Sequence, residues 1–296
     1  MRNYLKAVCV LAALAAAQFG FAQAPPAAPF QVHQLTSNIY WVEGGGGNSG
    51  VIVGSHGVIV IDAKMTMAGG KELLADIAKI TTKPVTTVIL THSDADHVNG
   101  LVAFPKGLTI IAHENDLMEQ QTALKEDDPR APSADHLPNK IVTGDREGMD
   151  IDGVKLELLH WAPAHTSGDL VVYLPAQKIV FTGDIISTNF HGALIHQAKG
   201  GTTAGWMKTT QGILALKADR FVPGHGDVQN KQQIAQRLKD AEAERAQIKQ
   251  LVAKGESLQQ IEAAVGDPAP GTAAGNGPHF PSYCDVVYNE LTGKAK

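Results

Sequence analysis

The segment Thr91-His92-Ser93-Asp94-Ala95-Asp96-His97-Val98-Asn99-Gly100 sets two His and two Asp within six residues, directly after the apolar, β-branched run Val85–Leu90. Imidazole and carboxylate at this density are metal-ligand chemistry. With no Cys beside them they suit Zn²⁺, Fe²⁺ or Mn²⁺. A loop that follows a strand in an α/β sheet is also where ligand sites form. Three later segments again put a candidate ligand beside a strand and a glycine. Pro163-Ala164-His165-Thr166-Ser167-Gly168-Asp169 precedes Val172–Leu174, Val180-Phe181-Thr182-Gly183-Asp184 ends on an acid, and Phe221-Val222-Pro223-Gly224-His225-Gly226 ends on His. A single His on a glycine loop means little; four such segments in one chain are a constellation.

The elements that must position them follow from periodicity. Val32–Val42 alternates loosely as a strand. After the glycine run 44–47, Ser49–Val53 and Gly57–Ile61 read as a hairpin that ends at Asp62. Lys71–Ile80 has helical spacing and stops before Pro84. Leu108–Ala112 is a short strand, Glu114–Leu124 a helix, and 125–140 a polar, proline-broken loop. A second strand-rich block covers Val154–Trp161, Asp169–Leu174 and Lys178–Thr182. Helices are expected over Ala204–Leu216 and Lys231–Leu251, with the short strand Arg220–Val222 between them. Ser257-Leu-Gln-Gln260 is a capping box for a helix over Leu258–Val265. Strands then helices, twice over, predict an α/β (α+β) four-layer αββα sandwich.

Composition narrows the setting. Arg2 and Lys6, the apolar stretch Ala7–Ala17 and Gly20-Phe21-Ala22 have the form of a signal peptide cut after Ala22, which implies a periplasmic or secreted protein. Eleven apolar residues are too few to span a bilayer, so no stable membrane association is expected after cleavage. Domain organisation follows as signal peptide 1–22, Pro/Ala linker 23–31, one catalytic domain 32–253, and a C-terminal helix and tail, 254–296, packing on the same domain. Removal of the signal leaves 23 Lys+Arg against 30 Asp+Glu, a formal −7, which argues against nucleic acid as a partner. It also leaves Cys284 alone, so no internal disulfide can form. The partner expected is a small-molecule substrate, and nothing in the chain fixes its oligomeric state.

The order H-x-D-x-D-H, then His165, Asp184 and His225, with Asp62 closing an earlier strand, resembles the metallo-β-lactamase superfamily, whose usual motif is H-x-H-x-D-H. The resemblance implies one metal held by His92, Asp94 and His165 and a second by Asp96, His97 and His225, with Asp184 bridging. Asp62 would brace the loop from behind. Two divalent ions, zinc foremost, would share a water, lower its pKa towards ~7 and deliver hydroxide to a polarised carbonyl. Asp96 would orient that hydroxide and move its proton. Asp94 departs from the pattern. Together with the hydroxide, a third carboxylate brings the negative charge to four and cancels that of the two cations, which favours harder metals such as Fe or Mn, or a weakly filled first position.

The expected activity is hydrolysis of a cyclic amide, lactone or (thio)ester. Three alternatives stand beside it: a β-lactamase proper, a mono-iron oxidoreductase like the superfamily's persulfide dioxygenase, and a non-catalytic metal-binding module. His191 and His196, on the loop after Asp184, are candidates for contact with substrate.

Overall fold

The computed structural model describes residues 28–126, 128, 131–267 and 280–294. The expected signal peptide and most of the expected linker lie outside them.

The first sheet has the order β1 (Gln31–Gln34), β2 (Ile39–Glu43), β3 (Ser49–Val53), β4 (Val58–Ile61), β5 (Val85–Ile89), β6 (Thr109–His113) and β7 (Lys140–Val142). Strands β1 to β4 form an antiparallel meander, and β4 to β7 run parallel. The second sheet has the order β12 (Arg220–Val222), β11 (Ile179–Phe181), β10 (Val171–Leu174), β9 (Val154–Leu159) and β8 (Arg146–Ile151). It is antiparallel except for the parallel pair β11–β12.

Alternation along the strands builds the layers, because successive side chains in a strand point to opposite faces. In β4, Ile59 and Ile61 join Ile89, Leu156, Leu158, Val172, Phe181 and Val222 in the core between the sheets. Val58 and Val60 face the other way, onto Leu73 and Ile77 of α1 (Met67–Ile80). The outer face of the second sheet is covered by α4 (Thr203–Ala215), α5 (Lys231–Ala253), α6 (Leu258–Val265) and α7 (Tyr283–Thr292), whose core includes Trp206, Ile234, Ile261 and Val286. The layers are therefore helix, sheet, sheet, helix, the expected αββα sandwich.

Besides α7 in the C-terminal tail, three stretches differ from the sequence expectations. Val32–Val42 is a hairpin, β1 and β2, because Thr36 Oγ1 accepts the N–H groups of Asn38 and Ile39 and turns the chain. The segment after residue 125 does not stay irregular to residue 140, since Lys140 opens β7 alongside β6. Strand β8 was hidden by its half-exposed, polar composition; it pairs with β9 through the two-residue turn Asp152-Gly153, both at positive φ (54° and 80°).

Candidate metal centre

Strand direction assembles the site. In the first sheet, β4 and β5 are parallel neighbours, so the residues after them, Asp62 and the 91–97 loop, emerge side by side. In the second, β11 and β12 are parallel neighbours, and they deliver Asp184 and His225 together. His165 comes from the loop joining β9 to β10. The 91–97 loop then closes into the single helical turn α2 (Ala95–Val98), which stacks Asp96 and His97 behind Asp94.

Three groups of side chains converge closely enough to hold a metal ion: His92, Asp94 and His165; His92, His97 and Asp184; and Asp96, His97 and His225. The Nε2 of His165 lies 3.0 Å from Asp94 Oδ2, and His92 Nε2 lies 3.7 Å from the same oxygen. On the other side, His225 Nε2 is 3.1 Å from Asp96 Oδ2 and 3.3 Å from Asp184 Oδ2. Asp184 reaches both sides, with Oδ1 3.3 Å from His97 Nε2 and Oδ2 3.9 Å from His165 Nε2. Donor atoms about 2.0–2.2 Å from one tetrahedral ion stand roughly 3.3–3.6 Å apart, so these spacings suit the group.

The hydrogen bonds behind the rings fix which nitrogen faces inward. His97 Nδ1 donates to Asp62 Oδ2 (2.8 Å), while Asp62 also accepts the Thr91 N–H and hydroxyl. With its proton given to Asp62, the Thr91 oxygen accepts from His92 Nδ1 (3.0 Å). His165 Nδ1 donates to the Leu194 carbonyl (3.0 Å). Each of these three rings therefore turns Nε2 toward the centre, the arrangement that second-layer partners impose on ligating histidines. His92 Nε2, His97 Nε2 and Asp184 Oδ1 are buried with no hydrogen-bond partner. Buried polar atoms left unpaired cost about 1–3 kcal/mol each, and three of them facing one another mark a place for a cation.

Electrostatics carries the same message. Burial, then the neighbouring His97 and His165, push His92 well below the usual imidazole range. Burial also opposes charge on His97, but the carboxylates of Asp96, Asp184 and Asp62 outweigh it and hold that ring well above its range. The same contest leaves His165 at about 9, through Asp94, and His225 at about 10, through Asp184 and Asp96. Against burial, His165 and His196 hold the Asp94 carboxyl well below the ordinary carboxylate range, and His225 and His97 do so for Asp184. The cluster demands positive charge, supplied by protons or by metal.

Backbone close to the site is tight. Gly47 lies against the His97 imidazole, where a Cβ would overlap the ring. Two residues emerge that sequence reasoning did not single out. Lys64, fully buried, donates from Nζ to the carbonyls of Val42 (2.7 Å) and Gly47 (2.9 Å), clamping that glycine loop; burial lowers its pKa to about 7. Lys199 pairs with Asp94 Oδ1 at 2.8 Å. His196 Nδ1 also reaches both Asp94 oxygens, at 2.9 and 3.0 Å, so it braces that carboxylate. His191 instead pairs with Glu244 of α5 at 3.4 Å, and its side chain is half exposed.

An αββα sandwich carrying this His/Asp set at the strand ends defines a class of fold whose strand-end edge could hold metal. The model of the metallo-beta-lactamase superfamily matches residues 42–225, more than half of the chain, and the protein belongs to that superfamily. Among curated relatives, the 2,4-dinitroanisole O-demethylase subunit alpha of Nocardioides sp. (strain JS1661) is 28% identical over 59% of this chain and 51% of its own. The metallo-beta-lactamase type 2 of Bacteroides fragilis is 25% identical over 66% of this chain and 79% of its own. Among solved structures, the stereoselective inverting sec-alkylsulfatase Pisa1 from Pseudomonas sp. superposes with a TM-score of 0.67 at 17% identity, covering 89% of this chain and 50% of that one. The chain thus spans about half the length of the first curated relatives it matches.

Proposed function

We propose that this protein is an exported, metal-dependent hydrolase that cleaves a small cyclic amide, lactone or (thio)ester, with two zinc ions held by His92, Asp94, His165, Asp96, His97, His225 and the bridging Asp184. The observation that carries the reading is the convergence of three buried, unpartnered polar atoms, on His92, His97 and Asp184, between the two ligand groups. Bound by these residues, two such cations would supply a nucleophile from water at neutral pH and polarise the group under attack.

The protein's own share is positioning and proton movement. Among the acids of the ligand set, Asp96 has the most exposed side chain, 20% against 7% for Asp94 and 4% for Asp184. It is the carboxylate able to take a proton from incoming water and hand it to the leaving group. Apolar side chains border the centre: the Phe190 ring lies 6.4 Å from His225, and Phe280 lies 4.9 Å from His196. They favour a substrate with an apolar part beside the bond that breaks, and they shield that bond from bulk water.

A panel of β-lactams, homoserine lactones, thioesters and alkyl sulfates, assayed on one preparation with its metal content measured, tests the reading. The expected result is turnover of at least one ester or amide, abolished by chelator and restored by Zn²⁺. One iron per chain with oxygen uptake and no hydrolysis would overturn it, and would point to His92, Asp94 and His165 as a two-His-one-carboxylate iron site.

A further inference from the structure

Asp94 is the third carboxylate of the ligand set, and its two oxygens face different partners. Oδ2 looks inward, 3.0 Å from His165 Nε2 and 3.7 Å from His92 Nε2. Oδ1 looks away, toward Lys199 Nζ at 2.8 Å, while His196 Nδ1 spans both oxygens, 2.9 Å from Oδ1 and 3.0 Å from Oδ2. The ammonium donates to the Ser93 carbonyl (3.0 Å) and Ser93 Oγ (2.8 Å) and makes its ion pair with Asp94 Oδ1.

Its position is fixed on both sides. The His196 N–H donates to the His165 carbonyl (2.8 Å), and the Ser167 N–H donates to the Lys199 carbonyl (2.8 Å), so the 196–200 turn is tied to the loop that carries His165. Ser93 Oγ in turn donates to Glu119 of α3 (Glu114–Lys125).

We propose that Lys199 is the built-in counter-charge of Asp94: a positioning residue that occupies Oδ1, restricts Asp94 to one-oxygen ligation through Oδ2, and tempers the affinity of the first metal position. Asp94 and Lys199 together carry no net charge, so as a pair they present one neutral-equivalent donor. The inference rests on the two-metal reading above.

Its test is a double-mutant cycle on the full chain, with Zn²⁺ titrated against a chromophoric chelator and zinc counted by elemental analysis. Asp94→Asn identifies the first position as the binding step that it weakens. Lys199→Met, which keeps the apolar stem, should tighten that step about tenfold or more, because it removes a cation near the ion and frees Oδ1. In the Asp94→Asn background no carboxylate Oδ1 is left to free and only the repulsion between Lys199 and the ion is relieved, so the same substitution should tighten it less, by about threefold or under. Lys199→Gln, which retains a donor for Ser93, should behave like Lys199→Met and serves if that variant does not fold. Unchanged or weaker zinc binding in a Lys199 variant that melts like the wild type overturns the proposal, as does an equal effect in both backgrounds. A wild-type protein that holds no zinc sinks the two-metal reading, and this inference with it.

Discussion

Single atoms decide how this site is set, and Asp62 shows it most directly. Its backbone takes φ 58°, a left-handed conformation that costs an ordinary residue about 1–2 kcal/mol and that Asp and Asn tolerate best. From there two oxygens serve three donors: the Thr91 N–H on Oδ1, with the Thr91 hydroxyl and His97 Nδ1 on Oδ2. Asn at this position would keep the backbone conformation but turn an NH₂ group toward one set of donors. Asp62→Asn should therefore release the His97 ring and lower metal affinity at the Asp96–His97–His225 position by about 10- to 100-fold, with little loss of fold. Zinc content after dialysis measures this, and full retention of two zinc ions would show that Asp62 does not set the ring. The clustering of these side chains was legible from sequence, because His and Asp crowd one loop and recur beside glycines at strand ends. Lys199 was not, since nothing local marks a lysine that meets its acid 105 positions away in the chain.

At the scale of elements, α3 is the brace behind the two loops that carry Ser93 and Ser167. Asn115 Nδ2 donates to the Ser167 carbonyl (2.9 Å), and Glu119 accepts from both Ser167 Oγ (2.7 Å) and Ser93 Oγ. Between them Asp116 is fully buried, with Gln120 Nε2 donating to it, and burial pushes its carboxyl up from 3.8 to about 8. The folded state thus binds this proton more tightly than the unfolded chain does. The stability it confers is full below about pH 4 and fades as pH climbs through 8. Asp116→Asn should flatten that slope and raise stability at pH 8 by roughly 1–3 kcal/mol, read from urea unfolding at pH 5, 6.5 and 8. A slope identical to that of the wild type would assign the pH dependence elsewhere. Two elements missed from the sequence had readable marks: Asp152-Gly153 is a two-residue hairpin signal, and Ser282 with Asp285 is the capping box that opens α7. Strand β7 had no such mark. Three residues long, it exists because β6 offers it a parallel partner, which is information the local sequence lacks.

The whole molecule is two sheets meeting at a shared edge of candidate metal ligands. The first sheet supplies His92, Asp94, Asp96 and His97; the second supplies His165, Asp184 and His225. A protein strap already crosses this seam: the Asn48 N–H donates to the Gly224 carbonyl (2.6 Å), and Asn48 Nδ2 donates to those of Pro223 (3.0 Å) and Gly226 (2.9 Å). Cations bound by ligands from both sheets would add a second link, one present only in the folded state. Binding to the native state alone stabilises by mass action, about 4 kcal/mol when the free ion stands at a thousand times its dissociation constant. At roughly 2–4 °C per kcal/mol for a chain of this size, stripping the metal should lower the melting temperature by about 8–16 °C. Calorimetry before chelation, after it, and after Zn²⁺ is restored reads the effect directly. If Asp184 bridges the two positions as proposed, the chelator-induced drop should shrink to a few degrees in Asp184→Asn. A melting temperature indifferent to verified metal removal would mean that Asn48 and the apolar core hold the sheets together unaided, and that the ligand edge answers to chemistry alone.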